Sequence, residues 1–120
     1  ARYQFFAGNV TVGEVLRYDA ATGTPLPGDG YTGARFAFGG IQTPADIAIG
    51  PDGDLYVADF TQNAVLAFDG TTGASRGTFV SSNQQANGGL RAPQSLAFGP
   101  DGHLYVVSTN RGTIYEIFPR

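Results

Sequence analysis

"GPDGDLYVAD", residues 50–59, returns 49 positions later as "GPDGHLYVVS", residues 99–108, and the likeness extends outward from both copies. "TPADIAIGPDGDLYVADFTQNAVLAFD" (43–69) lies over "APQSLAFGPDGHLYVVSTNRGTIYEIF" (92–118), and "EVLRYDAATG" (14–23) lies over "AVLAFDGTTG" (64–73) at an offset of 50. A fixed period of this size marks a repeat architecture, in which one supersecondary unit is stacked on its neighbours. Three copies are readable, two of them incomplete: residues 1–40, 41–90 and 91–120.

Within the complete copy, short apolar runs alternate with turn signals, as in an antiparallel meander. Strand A is "DIAIG" (46–50), strand B "DLYVADF" (54–60), strand C "AVLAFD" (64–69), and strand D centres on "RGTFV" (76–80). Pro51 pre-sets φ, Asp52 suits the next turn position and Gly53 can take the left-handed conformation that closes a bulged hairpin; Pro100, Asp101 and Gly102 repeat the turn. Asp19 and Asp69 precede "AATG" and "GTTG", where a carboxylate can accept N–H bonds two and three residues on and fix the C-to-D turn. In strand B, Leu55 and Val57 face one way while Tyr56 and Ala58 face the other; in strand C, Val65 and Ala67 oppose Leu66 and Phe68. Both faces are apolar, so the sheet must be covered on both sides. Four-stranded antiparallel sheets packed around an axis, a β-propeller, meet that demand without helices.

The pattern P-x-x-(I/L)-A-(I/F)-G-P-D-G-x-L-Y-V, then a polar turn, V-L-x-(Y/F)-D and T-G, resembles the blade of NHL-repeat propellers and of the related streptogramin lyase-like and gluconolactonase-like families. The resemblance implies an all-β, propeller-type fold. It implies little about chemistry, because the matching residues are those that make strands and turns. At 49 or 50 residues per blade, 120 residues supply about 2.4 blades, fewer than the four to eight of a closed ring. Residues 1–40 read as strands B-C-D and residues 91–120 as A-B-C. Free edges are expected at Phe5 and Phe6 and at Ile114, Ile117 and Phe118, where copies of the chain could close a ring or join head to tail as a fibre, unless further blades of a longer chain complete it. Self-assembly is the favoured expectation.

Composition limits the alternatives. Cys, Met and Trp are absent, and the seven cations are all Arg, scattered singly. Disulfides, thiol chemistry and Cys-ligated zinc are excluded, no basic stripe suits nucleic acid, and a metal site is expected to use oxygens alone. No apolar run approaches the length of a membrane helix, and these residues contain no positive segment followed by an apolar one. Low charge, no Lys and abundant Gly, Thr, Asn and Gln suggest a secreted or cell-surface bacterial or archaeal protein.

Candidate site residues are few. Asp52 and Asp54 flank Gly53, but the further oxygens of a calcium loop do not follow, so turn geometry accounts for them. His103, the single histidine, takes the position of Asp54 and is expected to be a turn residue. Resemblance to a streptogramin lyase would require more than one catalytic His, and the axial cation of the gluconolactonase relatives needs ligands from more blades. No catalytic residue, metal or cofactor is expected, and no Gly-rich phosphate loop precedes a helix. Asp46 and Asp59 are the best candidates for lining a channel or binding surface, with loop hydrogen bonding as the structural alternative; Asn9 and Ser108 align with Asp59. Tyr31, in the Gly/Pro-rich loop 23–35, is a candidate contact for a glycan or protein ligand, and residues 81–93 form the other long loop. "NVT" at Asn9 matches a glycosylation sequon. The expected function is non-enzymatic: a structural or interaction module, with a fragment of a propeller enzyme or a lectin-like module as alternatives.

Overall fold

The computed structural model describes residues 4–81, 90–108 and 113–117. They form ten strands: β1 (Gln4–Asn9), β2 (Glu14–Asp19), β3 (Arg35–Phe38), β4 (Pro44–Ile49), β5 (Leu55–Asp59), β6 (Ala64–Phe68), β7 (Ser75–Ser81), β8 (Pro93–Phe98), β9 (Leu104–Ser108) and β10 (Thr113–Ile117). No helix occurs among the described residues. Three antiparallel sheets follow in chain order: β1-β2-β3, then β4-β5-β6-β7, then β8-β9-β10. They are blades of an incomplete ring, not a closed barrel.

Strand limits differ from the sequence reading mainly at β4, which starts at Pro44 instead of Asp46, with a register shift between them. β4 is an edge strand, so the missing N–H of Pro44 leaves no ladder bond unmade. β8 begins at Pro93 with the same irregularity. The A-to-B turn closes as anticipated: the Gly53 N–H donates to Gly50 O and the Gly50 N–H to Asp54 O, both at 2.9 Å, with Gly53 at φ +86°. Gly102 repeats this at φ +82°.

The two-sided alternation of the middle sheet becomes two cores. Leu55, Val57, Ala64, Leu66 and Phe68 face the first sheet and pack with Val15, Phe36, Ala37 and Ile41. Tyr56, Ala58, Val65, Ala67 and Val80 face the third sheet and pack with Leu90, Leu96, Leu104, Val106 and Ile117. Tyr56 is held edge-on between Phe79 and Phe98, with both centroid distances 5.1 Å. Every residue of β5 and β6 is buried. Full burial of one Val or Leu side chain contributes about 1.5–3 kcal/mol, so these paired cores carry the stacking of sheet on sheet.

Candidate functional site

Asp46 and Asp59, the candidates for a channel or binding surface, each tie segments of the chain together. Asp46 Oδ2 accepts the N–H of Leu96 at 2.8 Å and the Ser95 hydroxyl at 3.3 Å, joining the middle sheet to the third. Asp59 is fully buried. Its carboxylate accepts the backbone N–H groups of Gln42 (2.7 Å), Thr43 (3.1 Å) and Gln62 (3.2 Å), and the Gln62 side-chain amide at 2.7 Å. Four donors on one carboxylate leave little capacity for a ligand. Ser108, its counterpart, is also fully buried, and its Oγ has no hydrogen-bond partner among the described residues.

At the C-to-D turns, Asp19 accepts the N–H groups of Ala21 (2.9 Å) and Thr22 (3.2 Å), and Asp69 those of Thr71 (2.8 Å) and Thr72 (2.9 Å). The Thr72 and Thr71 bonds hold the Asp69 carboxyl below the usual carboxylate range, and Arg76 at 2.8 Å adds to this. Loop 23–35 seals the outer side of the first two sheets: Asp29 donates its N–H to Thr72 O at 2.8 Å, and the Arg17 guanidinium lies 4.2 Å from the Phe36 ring centroid and reaches Thr71 O. Burial lowers the Arg17 pKa, while Asp29 acts to raise it.

Tyr31 borders an open cleft of about 510 Å³ with Glu14, Leu16 and Arg35. Its ring meets Phe38 edge-on at 6.4 Å and its hydroxyl donates to Phe38 O, so the residue is half-buried instead of being presented at a loop tip. Arg35 caps the Phe38 ring at 3.9 Å and pairs with Glu14 at 2.7 Å. Asn9 is similarly occupied: its Nδ2, the atom a glycan would join, donates to Glu14 at 3.0 Å.

Of the residues expected along free edges, Phe6 packs edge-on against Phe36 at 5.2 Å and Ile117 belongs to the second core, because alternation turns both toward the middle sheet. Phe5 lies within β1, Ile114 is 66% exposed, and Phe118 and residues 82–89 of the second long loop are outside the described residues.

The repeat shows what this exposure means. Ala58 and Val65 of the middle sheet are fully buried under the third sheet, whereas their counterparts one period later, Val107 and Ile114, are 38% and 66% exposed. At the other end, Leu66 and Phe68 are buried against the first sheet, whereas their counterparts Leu16 and Tyr18 are only half-buried. Each outer sheet thus presents apolar residues at positions that the middle sheet covers.

The turn Gly99–His103 brings together residues the sequence reading kept apart. His103 Nδ1 lies 2.6 Å from Glu116 Oε2 and 3.3 Å from Asp101 Oδ2, and the Tyr105 hydroxyl is 3.1 Å from an oxygen of each carboxylate. Partial burial first, then the bonds to Asp101 and Glu116, push the Tyr105 phenol up to about 12. The His103 N–H holds the Asp101 carboxyl below its usual range. Glu116 was not legible as a site residue; only the register of β10 on β9, which pairs Glu116 with Tyr105, brings it to the turn.

Residues 42–68, spanning β4, β5 and β6, match the family model of the NHL repeat. The antiparallel sheets fit propeller blades, and the match suggests a propeller-like interaction module. No curated protein matches the chain.

Proposed function

We propose that this segment is a non-enzymatic interaction module that self-assembles, the open face of the third sheet in one copy stacking on the open face of the first sheet in the next. The observation that carries the reading is the exposure of Val107 and Ile114 at positions where Ala58 and Val65 are sealed. Sheet packing within the chain already supplies a template, since the contact between middle and third sheets joins one face of a blade to the opposite face of the next. A charged residue at this register is accommodated where it finds partners. Arg17, at the register of Ala67 and Glu116, is accommodated between the first two sheets over Phe36. The contact is heterologous, so it leads to a closed ring or to a fibre according to the rotation per copy.

Mass measured by light scattering tests this. Particles heavier than the 12.5 kDa chain, growing with concentration, are expected, and Ile114→Asp should reduce them. A monodisperse monomer across the accessible concentration range would overturn self-assembly. A secreted or cell-surface setting is part of the proposal and rests on the low charge and the absence of Lys and Cys. Recovery only from the cytoplasmic fraction of the native cell would remove it.

A further inference from the structure

The geometry around His103 points to a divalent transition-metal site, for which we infer zinc as the fitting ion, held by Asp101, His103 Nδ1 and Glu116. These side chains come from the A-to-B turn, the residue leading into β9, and β10, and their candidate ligand atoms all lie within 4.8 Å of one another. One imidazole nitrogen and two carboxylate oxygens form a mixed N/O set suited to zinc, with the fourth position left to water. Cys-free chemistry therefore does not confine this chain to all-oxygen sites, as composition had suggested.

The spacing suits the ion. Tetrahedral bonds of about 2.0–2.1 Å place ligand atoms roughly 3.3 Å apart. The Nδ1–Asp101 separation is 3.3 Å, and the Nδ1–Glu116 separation of 2.6 Å needs to open by well under 1 Å, within reach of a glutamate side chain that is 44% exposed. The Tyr105 hydroxyl lies 3.1 Å from the same two oxygens, Asp101 Oδ2 and Glu116 Oε2, and its single proton can be donated to one of them while the other is free for the ion.

The repeat provides an independent comparison. In the middle sheet the same turn carries Asp52 bonded to the Tyr56 hydroxyl at 2.7 Å, and Asp54 is neutralised by Arg76 at 2.9 Å. The third sheet retains the carboxylate–tyrosine pair as Asp101 and Tyr105 but departs from the pattern at two places that meet in space. Asp54 becomes His103, and Ala67 becomes Glu116. Among the described residues no guanidinium pairs with Asp101 or Glu116, so within that set the two carboxylates share His103 where the middle sheet has the compensation of Arg76. A divalent cation supplies it.

The test uses the tag-free 120-residue chain, whose single histidine makes its imidazole signals unambiguous. Zinc ions are titrated against a chromophoric chelator while the imidazole nitrogens are followed by long-range proton–nitrogen correlation. One zinc per chain is expected, with a large shift at Nδ1. Affinity should fall about tenfold or more in Glu116→Gln and His103→Gln and stay unchanged in Asp54→Asn. All three positions lie at or near the surface, and circular dichroism verifies that each variant is folded. No stoichiometric binding, or binding that Glu116→Gln and His103→Gln leave intact, overturns the site. Glu116 and Tyr105 share the open face of Val107 and Ile114, so the titration is run at a concentration where light scattering gives one chain per particle, and its outcome is then separate from that of self-assembly.

Discussion

Asp46 accepts the backbone N–H of Leu96 at 2.8 Å, a bond that runs from the inner strand of one blade to the inner strand of the next. The same oxygen takes the Ser95 hydroxyl, while Oδ1 accepts the Ile47 N–H at 2.9 Å. A charged acceptor strengthens each of these bonds over a neutral one. Asp46 therefore fixes the position of the third sheet on the middle one, in addition to the nondirectional burial of Leu96, Leu104 and Val106.

Replacing Asp46 by Ala should lower stability by about 1.5–3 kcal/mol, the scale of a hydrogen bond to a charged group. Urea unfolding should show a reduced midpoint. If the clasp acts on the third sheet in particular, hydrogen exchange at Leu96 and its β8 neighbours should quicken before that in β5 and β6.

Asp59 and Ser108 occupy one repeat position and should differ in how much their removal costs. Asp59→Ala strips a buried charged acceptor from the part-buried N–H groups of Gln42, Thr43 and Gln62, and a cost of about 1.5–3 kcal/mol, the scale of hydrogen bonds to a charged group, is expected. Ser108→Ala removes a hydroxyl that has no partner among the described residues and should change stability by less than about 1 kcal/mol. Thermal unfolding of both variants, compared with the parent, decides the pair.

The fold was legible because its signals are local. Leu55 and Tyr56 announce two buried faces by alternation, and Pro51, Asp52 and Gly53 announce the turn by backbone preference. The turn roles of Asp19 and Asp69 were legible because their donors are two and three residues on, whereas the partners of Asp59 and Asp46 were not, being distant along the chain: Asp59 bonds Gln42 from 17 residues away, and Asp46 bonds Leu96 from 50 residues away, one full repeat. For Asp46 and Asp59 the sequence leaves a channel role and loop hydrogen bonding both open, and the structure supplies the bonding partners. Glu116 was missed. Nothing near it in sequence distinguishes it from a solvent-facing strand residue, and its meeting with His103 depends on a register that the sequence reading did not assign.

Titration should separate two groups of opposite sign. The Asp69 and Asp101 carboxyls are depressed by backbone N–H donors, so their contribution to stability is present above the ordinary carboxylate pKa of about 4 and is lost as pH falls through the lower folded values. Asp69→Asn should flatten the acid side of a stability–pH curve. Tyr105 is raised to about 12, so its contribution is present below the ordinary tyrosine pKa of about 10 and is lost as pH rises toward 12. Ultraviolet titration should show a late-ionising phase, and Tyr105→Phe should reduce its amplitude by one phenol.

A head-to-tail contact makes a prediction that a symmetric dimer does not. Ile114→Asp spoils the open face of the third sheet and leaves the first sheet intact, whereas Leu16→Asp spoils the first and leaves the third. A buried unpaired carboxylate is costly enough that neither variant should self-associate strongly. Mixed together, however, they retain one good face each, and these two faces are the complementary pair. Equimolar mixing should therefore yield a particle of two chains that grows no further, while each variant alone remains at one chain. Sedimentation velocity distinguishes the cases. A two-fold symmetric contact through the third sheet would instead leave Leu16→Asp able to dimerise by itself, and one through the first sheet would leave Ile114→Asp able to do so.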